Sequence, residues 1–269
     1  MTTTGKIFRT ISAAVLATAA VFFTGTAADA QTVGFSTRTS AEIDWKIVKG
    51  LHLNAGYELR TKDSFAGVER HQASIGLEYK VCNYFKIGGE YLFIGHYNSK
   101  NTFRPRHRVS LNLTGMYDAG PWRFSLKERL QLTHNAYDMN RFQNVPNALQ
   151  LKSRFTVKYR GIRVVEPYAY VEMRNIFNAP KFSATWSEAS QTWADYNFIG
   201  YSHAYVNRLR AAIGLEWNIT RSHGIDFTLM YNWTHSPEID TNKEGTILKS
   251  YVWEDKNALA LCIGYCFSF

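Results

Sequence analysis

Ionisable residues recur at every second position along much of this chain, and their types decide what chemistry they can do. In "LHLNAGYELR" (residues 51–60), Glu58 and Arg60 share a face with His52 and Asn54, while Leu51, Leu53, Tyr57 and Leu59 point the other way. The same spacing gathers Arg38, Glu58, Arg60, Glu78, Glu90, Arg108, Arg129, Arg154, Lys158, Glu172, Arg174, Arg208, Arg210 and Glu216 on one side of the strands that carry them. Such a lining is expected to surround an enclosed polar space. Basic residues outnumber acids within it, so passing solutes would be sorted in favour of anions by the field of the side chains. The competing expectation is that Arg and Glu on neighbouring strands pair and plug the interior. The whole chain has 31 Lys plus Arg against 22 Asp plus Glu, a formal net charge of +9. These charges are spread rather than blocked into a tail, which argues against a nucleic-acid partner.

Other reactive constellations are weaker. A lipid-modifying enzyme would need a Ser–His or acid–His pair on one face. His71 and Ser74 face opposite ways, as do the adjacent His235 and Ser236, so no catalytic residue is assigned and the chain reads as a non-enzyme. His71, His96, His107, His134, His203 and His235 lie near one set of strand ends. Imidazoles there could take a transition metal or a porphyrin iron, but they read first as amphipathic interface residues, so no cofactor is expected. Cys262 and Cys266 sit four apart on one strand, about 13 Å between α-carbons, too far for a disulfide.

The elements that position these residues are long strands. Period-two runs occupy 33–45, 51–62, 70–82, 85–98, 106–118, 121–134, 149–160, 165–176, 205–218, 224–236 and 257–269. They are about twice the ordinary strand length and match the 9–11 residues that a tilted strand needs to cross a bilayer. Their apolar face carries one charge, Glu128. Arg or Lys facing lipid at mid-depth costs about 2–4 kcal/mol, so a bilayer enforces this partition. A soluble two-sheet sandwich also alternates. Long runs, alternating short and long connections, and aromatics beside the short ones (Trp45, Tyr79, Tyr84, Tyr117, Trp122, Tyr159, Trp217) favour the membrane form. The expectation is an all-β, antiparallel transmembrane barrel of about 10–12 strands, with an even count because single-chain bacterial barrels are even. Short connections (46–50, 83–84, 119–120, 161–164, 219–223) would face the periplasm, and long ones (63–69, 99–105, 135–148, 177–204, 237–256) the exterior. The longest, 177–204, holds Trp186, Trp193, Tyr196, Phe198 and Tyr201 and is expected to fold over the mouth or into the lumen. Sugar or peptide capture by those rings is one further expectation.

Both ends of the chain agree with this destination. Lys6 and Arg9 precede the apolar stretch "ISAAVLATAAVFF", and "ADA" at 28–30 supplies small residues, so residues 1–30 read as a signal peptide and 31–269 as the barrel domain. The final "ALALCIGYCFSF" puts Tyr265, Phe267 and Phe269 on its apolar face. This resembles the assembly signal of Gram-negative outer-membrane proteins and implies the assembly machinery, the lipid bilayer and small solutes as partners. With "VGFSTRTSAEIDWKIVKGLHLNAGYELRTKD" and "VNRLRAAIGLEWNI", the chain also resembles small outer-membrane barrels of Bacteroidetes-type bacteria, within a family of unknown function. That resemblance implies location and fold, and no functional residue comes with it.

Overall fold

The computed structural model describes residues 33–62, 67–98 and 102–269. The expected signal peptide therefore lies outside the described residues. Those described form eleven strands: β1 (Gly34–Val48), β2 (Leu51–Lys62), β3 (Gly67–Cys82), β4 (Phe85–Tyr97), β5 (Phe103–Ala119), β6 (Trp122–Asn135), β7 (Asn147–Tyr159), β8 (Val165–Ser187), β9 (Thr192–Asn218), β10 (His223–Thr241) and β11 (Leu248–Ser268). Each strand pairs with the next, and β11 returns to β1, so the sheet is a closed barrel. A two-sheet sandwich is thereby excluded.

The expectation of an even count is wrong among the described residues. An up-and-down chain of eleven strands brings its first and last strands to the seam in the same direction. Accordingly β1 and β11 pair in parallel, from Gly34 opposite Ala258 to Asp44 opposite Ser268, while every other neighbouring pair is antiparallel. The run at 33–45 is a full strand, and no twelfth is hidden in 177–204 or 237–256. Hydrogen bonding continues to the last residue: the Phe269 amide donates to the Asp44 carbonyl at 3.1 Å, and the Lys46 amide to the Phe269 carbonyl at 3.0 Å.

Burial is inverted relative to a water-soluble protein. Along β5, Val109 and Leu111 are 59% and 47% exposed, whereas Ser110 and Asn112 between them are 3% and 9% exposed. Along β8, Val171 and Met173 are exposed and Glu172 between them is buried. The outside is apolar and the inside mostly polar, because the strand period is two and each strand contributes one face to each environment; Tyr170, Ala212, Met230 and Ala260 form an apolar patch on the inward side. Of the expected belt residues, Trp45, Tyr79, Tyr84, Tyr117, Trp122 and Trp217 are exposed, and Tyr159 is half-buried against Trp122. Outward histidines meet outward tyrosines across strand pairs: Tyr57 with His71 (2.5 Å), Tyr91 with His107 (2.7 Å) and Tyr265 with His223 (2.6 Å). Glu128, the outward exception, accepts a hydrogen bond from Ser153 Oγ at 2.7 Å on the neighbouring strand.

Two of the expected long loops are strand. Residues 177–204 extend β8 and β9 into a hairpin that turns at 188–191, and much of 237–256 extends β10 and β11. The turn end of the barrel carries the connections 49–50, 83–84, 120–121, 160–164 and 219–222; the opposite, loop end carries 136–146, 188–191 and 242–247.

Candidate functional site

Side chains two strands apart can touch only on the concave side of a curved sheet, and such contacts identify the lumen. Arg129 on β6 reaches Glu90 on β4 at 3.4 Å, and Lys158 on β7 reaches Glu216 on β9 at 2.5 Å. Tyr168 on β8 donates from its hydroxyl to Asp226 on β10 at 2.7 Å. Its ring has room because residue 214 is glycine: a Cβ there would collide with that ring.

The centre of the lumen is a tight ionic cluster. Glu172, 4% exposed, accepts from three arginines: Arg154 (2.6 Å) on β7, and Arg210 (3.0 Å) and Arg208 (3.2 Å) on β9. Arg154 also lies over the Tyr170 ring, 4.3 Å from its centroid, and Arg210 Nε donates to Asn232 Oδ1 at 2.7 Å. One carboxylate against three guanidiniums leaves the cluster positive. Beside it, Lys127, Arg129, Lys152, Arg154 and Glu172 line a cavity of about 50 Å³, space for a few waters.

The two halves on either side differ in charge. Toward the turn end, acids and bases mix: Lys86 pairs with Glu78 (2.6 Å), Arg123 with Asp118 (2.6 Å), and His52 with Asp44 (3.0 Å). A cavity of about 490 Å³ opens there, lined among others by Ser40, Glu42, Glu216 and Asp226. Toward the loop end the lining is arginine: Arg38, Arg60, Arg70, Arg106, Arg108, Arg174, Arg208 and Arg210. Carboxylates reach some of them, Glu58 bonding Arg60, Glu69 bonding Arg70 at 2.9 Å, and Glu172 as above. Among the described residues Arg38, Arg106, Arg108 and Arg174 have no carboxylate within ion-pair distance. Arg108 bonds Thr133 (2.9 Å), Arg106 bonds Tyr137 (3.5 Å) and Arg174 bonds Asn207, all neutral acceptors.

Above this arginine chamber lies a lid that the sequence did not announce. Segment 136–146 leaves β6 and enters β7, whose neighbours in the wall are β5 and β8. Yet Asn140 Nδ2 donates to Thr241 Oγ1 (3.0 Å) and the Asn242 carbonyl (3.2 Å), and Gln143 Nε2 to Asp240 (2.8 Å), at the tip of the β10–β11 hairpin. Reaching that hairpin takes the segment past the β8–β9 hairpin, whose Phe198 and Tyr201 it also touches, at the loop end of the barrel. Phe142 is the anchor: it is buried, packs edge-on against Phe198 at 5.2 Å, and sits where a Cβ on Gly245 would clash. Gly245 has φ +68°, so glycine serves both conformation and space.

The aromatics of 177–204 lie along the β8–β9 hairpin beside this segment, and Phe182 and Trp193 also meet Tyr251 on β11, at 5.0 and 6.2 Å. Trp186 stacks edge-on with Trp193 (5.2 Å), Tyr196 meets Phe182 (5.5 Å), and the Tyr201 hydroxyl donates to the Arg141 carbonyl at 2.7 Å. Burial pushes the Tyr196 and Tyr201 phenols up in pKa. What differs from the expectation is the form of 177–204, which is a strand hairpin rather than an irregular loop. Tyr265, Phe267 and Phe269 lie at the parallel seam, with the Phe269 ring 6.1 Å from Trp45 and 5.0 Å from Phe267. Among the described residues no three His, Cys, Asp or Glu side chains gather to hold a metal, and Cys82, Cys262 and Cys266 are free thiols.

Fold and lining together define a closed β-barrel with an apolar exterior and an ion-paired, arginine-rich interior. The family model described as "Protein of unknown function (DUF2490)" matches residues 35–243, and the chain belongs to that family. No curated protein matches it. A solved structure described as the NanC porin in a rhombohedral crystal form is similar over 87% of this chain and 99% of that one, at 11% identity and a TM-score of 0.41.

Proposed function

We propose that the chain is a non-catalytic, integral outer-membrane barrel of a Gram-negative bacterium, of the kind found in Bacteroidetes, whose narrow lumen admits small anions. One observation carries the anion preference: the loop-end half of the lumen holds arginines that no carboxylate neutralises. Such a field concentrates anions and repels cations in a low-dielectric enclosure. The bilayer is the partner that the exposed apolar belt calls for, and Tyr265, Phe267 and Phe269 on the closing strand are the surface offered to an assembly machinery. Planar-bilayer recording on the purified, refolded chain under a salt gradient tests the reading. A reversal potential of the sign given by anion passage supports it; cation preference contradicts it.

A second reading has its own support. The ionic cluster at Glu172 and the lid at the loop end favour a plugged barrel that binds anions without conducting them. Absence of conductance from demonstrably folded protein selects that reading over the first.

A further inference from the structure

The arginines of the loop-end half compete for one another's space as much as they line it. Arg108 on β5 is within electrostatic reach of Arg60 on β2, Arg70 on β3, Arg106 on β5 and Arg174 on β8. Arg208 on β9 is within reach of Arg174, Arg210 and Arg38 on β1, and Lys152 on β7 of Arg108, Arg208 and Arg174, with Glu172 the one carboxylate near both. These strands occupy different sides of the wall and carry these residues on its inward face, so the cationic heads face one another across the lumen. Guanidinium heads that repel one another cost free energy to hold together unless an anion sits between them.

Several of their donors are unused. Buried Nε atoms of Arg38, Arg70, Arg106, Arg174 and Arg208 have no hydrogen-bond partner in the structure. Buried N–H groups are nearly always satisfied, and five from one residue type in one half of the lumen is a pattern rather than a stray loss. Arginine presents a planar fork that grips two oxygens of a carboxylate, phosphate or sulfate at once, which a lysine-lined chamber would not do. At the floor, Glu172 already shows the bonding: a carboxylate gripped by Arg154, Arg208 and Arg210.

We infer that the chamber between the Glu172 cluster and the 136–146 lid is a binding site for a small oxyanion carrying at least two anionic groups of phosphate, sulfate or carboxylate type, gripped by Arg38, Arg106, Arg108 and Arg174. Four guanidiniums without a carboxylate partner set the valence. One anionic group bridged by a pair of forks engages half of them; a second is needed for the rest. The lid excludes bulk water above and Glu172 fixes the floor, so the site selects small ligands. The inference rests on the anion-accepting lumen proposed above and names the ligand class that this lumen holds.

Titration calorimetry on the folded chain in detergent, at low ionic strength, tests it with acetate, inorganic phosphate and pyrophosphate as probes. Pyrophosphate is expected to bind with one-to-one stoichiometry and at least tenfold more tightly than acetate. Arg108→Gln combined with Arg174→Gln should weaken it at least tenfold, while Lys249→Gln, on the exposed outer start of β11, should leave it unchanged. Heat-modifiable gel mobility shows that each variant is folded. Equal affinity for all three probes, or an affinity that the arginine pair does not alter, overturns the site. Anion-selective conductance without pyrophosphate binding removes this inference and leaves the pathway; binding without conductance keeps the site and removes the pathway.

Discussion

Replacing Glu172 by Gln removes the one negative charge from a cluster of three arginines while keeping side-chain size. The magnitude follows from the accessibility of each partner. Arg210 and Arg208 are 6% and 13% exposed and lose their carboxylate in a nearly closed environment. Arg154 is 37% exposed, so its pairing is screened and contributes little. Removing one partner of a buried ion pair costs about 3–5 kcal/mol, because the remaining charge is stranded. Glu172→Gln is therefore expected to destabilise the barrel by about 3 kcal/mol, the lower end, since lumen water reaches the cluster. The assay is urea unfolding in phosphatidylcholine vesicles followed by tryptophan fluorescence, with linear extrapolation to water. Sulfate should restore part of the loss by standing in for the carboxylate, whereas chloride at equal ionic strength should restore less. A variant within about 0.5 kcal/mol of the parent, with no response to sulfate, would refute the claim that this carboxylate offsets the arginine charge.

Other expected outcomes follow from the same structure. Leu111→Arg puts a cation on the outward face of β5 and should cost about 2–4 kcal/mol in vesicles, against little on a surface facing water; unfolding titrations separate these. Phe142→Ala should weaken the lid locally by up to about 3–5 kcal/mol, giving faster proteolysis within 136–146 and raised conductance; cleavage rates equal to the parent's would remove the lid. Phe269→Ala loses the ring contacts with Trp45 and Phe267 and should lower the yield of heat-modifiable barrel in the membrane fraction several-fold, read by gel mobility.

Much of this fold could be read directly because one rule acts at every position. A period of two assigns each residue to one side, and charges sort to the inside, so parity alone puts Glu58, Arg129, Glu172 and Arg210 on one face. Register was not readable. That Glu172 meets arginines 18, 36 and 38 residues away depends on how β7, β8 and β9 slide against each other, and side-chain alternation is unchanged by a two-residue slip. Strand count misled for a different reason. Eleven runs were visible, but the expectation of evenness excludes a parallel seam, which the Gly34–Asp44 ladder with β11 supplies. The lid was missed because "HNAYDMNRFQNVPNA" carries few aromatics, and its hold on the loop end comes from Asn140, Gln143 and one phenylalanine, whose partners lie about a hundred residues on.

The most direct test concerns sidedness. Single cysteines at 109 to 113, in a background where Cys82, Cys262 and Cys266 are replaced by serine, are labelled with a fluorophore and the barrel is refolded into vesicles containing brominated lipid. Strong quenching at 109, 111 and 113 with weak quenching at 110 and 112 is the result that a greasy exterior around an ionic lumen requires. Uniform quenching, or the opposite alternation, would contradict it.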